Sequence, residues 1–168
     1  MKIIKIANLD RLEIQYTGLV SPESIKNGRE TPWAGLVERF DIPEGWITHG
    51  HHMTINLGAN KDFNTNGAGV RMRALALGKS DKALALLVES GLSIQNEHQH
   101  ITIATAPDAQ PKDSNDITNW EPIQPFPIDG FIAEVSSGGL IVTEEMKAKE
   151  EDRLEKIRLE KQRIGLKF

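Results

Sequence analysis

At 168 residues the chain is the size of one domain with a real core, and nothing in it demands a second. A net charge of −4, with 39% hydrophobic and 26% charged residues, argues against a protein that coats long nucleic acid through a broad basic surface. The absence of cysteine excludes a disulfide framework, a thiol nucleophile and thiolate metal sites.

No apolar run approaches the roughly 18 residues of a membrane span, and the opening MKIIKIANLD lacks the stretch of a secretory signal. An intracellular, cytoplasmic protein with no membrane partner is therefore expected. Residues 1–142 read as one domain, with 143–168 as a charged C-terminal helix that belongs to it or makes a homo-oligomer contact.

In chain order, RLEIQYTGLV alternates like a strand, with Leu12, Ile14 and Tyr16 on one face. Ser21 as N-cap and Pro22 at the first helical position predict a short helix in SPESIKNG, which Pro32 interrupts. WAGLVERF has the makings of another turn or two before the Pro43–Gly45 loop. WITHGHHMTINLGA reads as a strand and NKDFNTNGAG as a turn-rich loop. VRMRALALGKS and KALALLVES read as two strands joined by a tight Ser80–Asp81 turn, with helix as the competing reading for their alanine- and leucine-rich parts.

Arg71, Arg73 and Lys79 alternate with apolar residues there, either a solvated strand face or a cluster of donors for a small anion. QHITIATA is a further strand, SNDITNWEPI a short helix capped by Ser114 or Asn115, and IDGFIAEVS another strand. From Thr143 a helix is predicted as far as Gly165, its apolar positions too sparse for a coiled-coil seam.

The five histidines all fall in HGHHMTINLG, residues 49 to 58, and HQHITIATAP, residues 98 to 107. Aligned, the two segments share His-x-Thr and a following apolar residue: His52 with Thr54, His100 with Thr102. Five histidines and nine threonines give roughly 0.27 such triplets by chance, so the matched pair carries information. On a strand, residues two apart share a face, so each imidazole sits beside a hydroxyl.

Two such strands side by side suit attack at a phosphodiester. One histidine takes a proton from the nucleophilic oxygen, the other gives one to the leaving oxygen, and the hydroxyls donate to the phosphate oxygens as charge builds. No metal and no cofactor is required.

The paired motifs resemble those of the 2H phosphoesterase superfamily. YTGLVSPES, HHMTINLG and DSNDITNWEPI resemble its Swiss-Army-knife RNA-repair-like branch, which includes phage anti-CBASS phosphodiesterases that destroy cyclic-oligonucleotide signals such as cGAMP in immune evasion. The resemblance covers roughly residues 11 to 136. It implies an α+β, bilobal, LigT-like fold: two lobes related by a pseudo-twofold axis, mainly antiparallel sheets around a central cleft, and a C-terminal helix. It also implies His52 and His100 as acid and base in an unassigned order, with Thr54 and Thr102 as phosphate-binding hydroxyls.

On that reading the protein is a hydrolase of 3′,5′-linked cyclic di- or trinucleotides in the host cytoplasm, or opens 2′,3′-cyclic phosphate ends in RNA repair. Base recognition would draw on Tyr16 and Trp120 by stacking, less on Trp33 and Trp46, with core packing as the competing role. Glu134 is a candidate for reading a base edge, against an exposed strand glutamate. Ser114 and Asn115 either border the cleft or merely cap a helix.

Two other readings remain. His98 and His100, completed by His49, His51 or His52, would suit a tri-histidine zinc site, though one without an obvious carboxylate partner. A non-catalytic cyclic-nucleotide-binding module, or a virion or host-binding protein that uses the charged helix for assembly, would not need both motifs intact.

Overall fold

The computed structural model describes residues 14–136, 139, 141–142, 155–156 and 158–163. Its strands are β1 (Ile14–Val20), β2 (Ile47–Thr48), β3 (His52–Leu57), β4 (Gly69–Lys79), β5 (Ala83–Glu89), β6 (His100–Thr105), β7 (Asn119–Ser136) and β8 (Ile141–Val142). One short helix, α1 (Pro22–Asn27), follows β1, and three 3-10 segments lie at Val37–Arg39, Phe63–Thr65 and Pro111–Asp116.

Every strand pairing is antiparallel, in the order β1-β3-β6-β5-β4-β7, and β7 pairs back onto β1. The six strands thus close into a barrel, with β2 as a short extension beside β6 and β8 added to β7. Closure pairs the sheet edges that two separate lobes would leave bare.

The expected bilobal α+β fold is therefore not what the chain forms. The reason lies in β7: 18 residues long, it pairs with β4 from Asn119 to Phe131 and with β1 from Phe131 to Ser136. One strand ties what would have been two lobes into one closed sheet. Its Pro122, Pro125 and Pro127 fall where β7 has only β4 beside it, so a missing N–H breaks no second ladder. The expected helix over SNDITNWEPI is accordingly a 3-10 turn followed by the start of this strand.

Local signals hold elsewhere. The Ser21 hydroxyl accepts the Ser24 N–H at 2.9 Å, Pro22 opens α1, and Gly28 ends it in the left-handed region at φ 69°. Ser80 turns β4 into β5, its hydroxyl accepting the Lys82 and Ala83 amides. The core fills the barrel with alternate residues of each strand, among them Leu19, Met53, Met72, Leu86, Ile101 and Ile132.

A bulge between Ala74 and Ala76 breaks the run of Arg71, Arg73 and Lys79. The extra residue reverses the inward and outward phase of β4, so Lys79 leaves the face that carries the arginines. Arg71 pairs with exposed Asp129 at 2.7 Å, so this guanidinium already has its anion. The start, stop and apolar positions expected for the C-terminal helix lie outside the described residues; residues 155–156 and 158–163 are helical.

Candidate functional site

Met53 on β3 stands opposite Ile101 on β6, both fully buried in the barrel. The side chains on either side of each therefore point to the opposite, outer face, which brings His52, Thr54, His100 and Thr102 together on neighbouring antiparallel strands. His100 lies close enough to His52 to oppose its protonation.

Between the pairs Thr48↔Ala104 and Met53↔Ile101, four residues of one strand face two of the other. Gly50 makes this bulge possible at φ 72°, with its N–H donating to Thr102 O at 2.8 Å while that of His49 donates to Ile103 O at 2.8 Å. The bulge puts three consecutive imidazoles in contact. His49 meets His51 edge to face at 6.1 Å between centroids, and His51 lies nearly parallel to His52 at 4.9 Å.

The three are anchored differently. His49 Nε2 is 2.9 Å from the Thr105 hydroxyl, His51 Nδ1 is 2.8 Å from His52 Nδ1, and His51 Nε2 is 3.1 Å from Glu30 Oε2. Glu30, His51 and His52 each offer a ligand atom, all within 4.8 Å of one another. On β6, His100 Nδ1 lies 2.9 Å from His98 O. A carbonyl only accepts, so this nitrogen carries the hydrogen and neutral His100 keeps a free electron pair on Nε2.

Burial holds all four of these imidazoles below their ordinary range. His52 lies well below it, since its three histidine neighbours add to the burial. Glu30 pulls the other way on His51 and His49 without overcoming burial. The rings are thus neutral at neutral pH and available as bases.

Thr54 makes no side-chain hydrogen bond among the described residues. The Thr102 hydroxyl shares a hydrogen bond at 2.9 Å with Ser114, a buried serine on the 3-10 segment Pro111–Asp116 that folds back over β6, and makes a longer one to Pro111 O at 3.4 Å. The cap of that segment comes from Gln110 and Asp113, not from Ser114 or Asn115, and Asn115 is exposed beside it.

The base-recognition candidates fare differently. Tyr16 is buried and lies face to face with His52 at 4.2 Å, so that side of its ring is occupied by imidazole rather than open to a base. Its hydroxyl faces Glu30 without a well-formed hydrogen bond, and burial, followed by the charge and the hydrogen-bonding pull of that carboxylate, pushes the phenol far above its ordinary range. Trp120 packs beside His98 at 5.7 Å and donates from Nε1 to Ile117 O, leaving it partly exposed at the border of the histidine face.

Glu134 points into the barrel, fully buried, and accepts from Asn60 N at 3.0 Å and Asn66 Nδ2 at 2.7 Å. It fastens the loop after β3 from inside the barrel, not as the exposed strand glutamate that was the competing expectation. Trp33 is a core residue that donates from Nε1 to Asp129 O, and Trp46 packs partly buried against the core.

A tri-histidine site using His98 is not assembled: His98 turns to Trp120, and the cluster that does form takes its carboxylate from Glu30. Glu30 stands 21 positions before His51, on a loop between α1 and β2, and no local spacing announces it. A cavity of about 490 Å³ lies at the barrel end formed by the β3–β4 and β5–β6 connections, lined by Ile55, Lys61, Leu92 and Ile94 among others and by none of the histidines.

No family model matches the chain, and no curated protein or solved structure matches it, so the likeness to 2H phosphoesterases rests on the His-x-Thr motifs and their flanks.

Proposed function

We propose that the outer face of β3 and β6 catalyses metal-independent cleavage of ribonucleotide phosphodiesters by paired acid–base chemistry. The observation that carries the reading is the Met53↔Ile101 register, which sets the two His-x-Thr motifs side by side on one face. Two neutral imidazoles with hydroxyls between them match a reaction that moves one proton off an attacking oxygen and one onto a leaving oxygen.

A bound phosphodiester anion raises the pKa of the imidazole beside it, which supplies the protonated partner that the free site lacks. The attacking ribose 2′-hydroxyl loses its proton to one histidine as its oxygen bonds to phosphorus. The 5′ oxygen leaves with a proton from the other. Thr54 and Thr102 donate to the non-bridging oxygens as negative charge gathers there. The resulting 2′,3′-cyclic phosphate is opened by water through the same groups.

Small ribonucleotides fit this face better than long RNA, because the acidic chain offers no extended basic track. The 3′,5′-linked cyclic oligonucleotides of anti-phage signalling are the substrate class that the sequence resemblance favours, with 2′,3′-cyclic RNA ends next. The close grouping of Glu30, His51 and His52 favours a second reading, a zinc centre.

The test incubates the full chain in excess EDTA with 3′,3′-cyclic GMP-AMP, a cyclic trinucleotide and a 2′,3′-cyclic mononucleotide, with products followed by chromatography. Cleavage of the cyclic oligonucleotides is the expected result. Opening of the mononucleotide alone moves the substrate to RNA ends, and activity that appears only with added zinc replaces the acid–base reading with the metal one.

A further inference from the structure

Both ring nitrogens of His51 are occupied, and by different neighbours: Nε2 faces Glu30 Oε2 at 3.1 Å and Nδ1 faces His52 Nδ1 at 2.8 Å. A carboxylate has only electron pairs to offer. A bare nitrogen pair facing it would be repelled, so in neutral His51 the hydrogen sits on Nε2 and the electron pair on Nδ1. The 2.8 Å contact then requires His52 to donate from Nδ1, which leaves the electron pair of His52 on Nε2. A single carboxylate thereby decides, through one intervening ring, which nitrogen of His52 is basic.

We propose that Glu30 and His51 are positioning residues that fix His52 with its Nε2 unprotonated, making His52 the base of the transesterification and His100 its acid. The assignment of base and acid rests on the phosphodiesterase reading; the hydrogen-bond chain does not. When Nε2 of His52 takes the proton of the 2′-hydroxyl, the new cation lies on a chain that ends at the Glu30 carboxylate, so its charge is compensated without a metal. Tyr16, stacked on His52, holds the plane of the ring through the transfer.

His100 has the His98 carbonyl behind it, and no carboxylate approaches its ring among the described residues. With no carboxylate to hold it, the proton that His100 takes up on Nε2 when the phosphodiester anion binds is the one given to the departing 5′ oxygen. In the following hydrolysis the roles exchange: His100 takes a proton from water, and protonated His52 returns one to the 2′ oxygen. Burial, which keeps His51 neutral despite Glu30, supports this direction of the chain over a charged His51 that donates from both nitrogens.

A metal held by all three residues would be a different arrangement. It needs one donor atom from each at about 2.0–2.2 Å, and His51 would surrender one of its two present contacts to provide it.

The deciding experiment records long-range proton–nitrogen correlations of the histidine rings in the full-length, ¹⁵N-labelled, substrate-free protein near neutral pH. The expected result is His52 protonated at Nδ1 and bare at Nε2, with His51 the reverse. In Glu30→Ala, His52 should shift toward a mixture of tautomers, and kcat should fall by roughly 10- to 100-fold with little change in KM.

His52 protonated at Nε2 in the wild type overturns the proposal, as does a tautomer indifferent to Glu30→Ala. One equivalent of zinc that stays bound through gel filtration and displaces the His52 Nδ1 hydrogen also overturns it. Should Glu30→Ala fail to fold, the wild-type tautomers decide alone. The expected tautomers in a protein that cleaves none of the phosphodiesters support the chain and overturn only the phosphodiesterase reading.

Discussion

The ring of Tyr16 lies on the imidazole of His52, centroids 4.2 Å apart and planes 27° apart, and its buried hydroxyl faces Glu30 without a well-formed hydrogen bond. The aromatic surface, rather than the hydroxyl, is what the fold uses. Tyr16→Phe should therefore leave the melting temperature unchanged or raise it, because it removes an unsatisfied buried group at no cost in packing. Tyr16→Ala should destabilise by about 3–5 kcal/mol, in the range for removal of a buried aromatic ring. Denaturant unfolding of the two variants separates the contributions, and a large loss in Tyr16→Phe would show a hydroxyl contact that this account lacks.

Gly18 is required by closeness, not by an unusual backbone angle. A Cβ built there would sit 2.7 Å from Met53 O and 3.3 Å from the Tyr16 ring. The backbone oxygen belongs to the ladder between β1 and β3 and has nowhere to retreat. Gly18→Ala should cost about 1–3 kcal/mol by overpacking and should disturb the Tyr16–His52 stack. Chemical denaturation measures the first effect and the His52 ring resonances the second; an unchanged variant would mean that the two strands stand further apart.

Acid should weaken the fold before the carboxylates titrate. His49, His51, His52 and His100 all have folded-state pKa values below the ordinary imidazole value of about 6.5, so the unfolded chain binds more protons than the native one just below that pH. Stability is then full above about pH 6.5 and declines as the pH falls from there toward the lower native values. Melting temperatures taken from pH 8 to pH 5 should be flat at first and then fall. A rise on acidification would contradict the burial of this cluster.

Glu134 has a structural task that substitution exposes. Glu134→Ala leaves the Asn66 side-chain amide and the Asn60 N–H without their shared acceptor inside the barrel, which should cost about 1–3 kcal/mol. Equilibrium unfolding checks it, and a neutral result would require another acceptor to take over both donors.

Much of this was written locally in the chain. The cap at Ser21, the strand at Ile14–Val20, the β4–β5 hairpin and the placement of both His-x-Thr motifs on strands follow from residue spacing and turn chemistry. The motif geometry was legible because a period of two fixes which side chains share a face. Barrel closure was not, since it depends on β7 reaching both β4 and β1, and pairing between distant segments leaves no mark on periodicity.

The bulges at Gly50 and Leu75 were equally hidden, and each changed an expectation. One brought His51 against His52; the other separated Lys79 from the arginines. Glu30 was missed because its meeting with His51 is purely tertiary. The buried position of Glu134 was missed because a glutamate on a strand is usually exposed.

The proposed mechanism has His52 and His100 working as a pair without a metal. Its most direct test compares turnover of the best ribonucleotide phosphodiester by EDTA-treated wild type, His52→Ala and His100→Ala, with circular dichroism confirming that each is folded. Either substitution alone should lower kcat by at least roughly 10²-fold, and the double variant should be little worse than the poorer single one. Near-wild-type turnover in either single variant would contradict it.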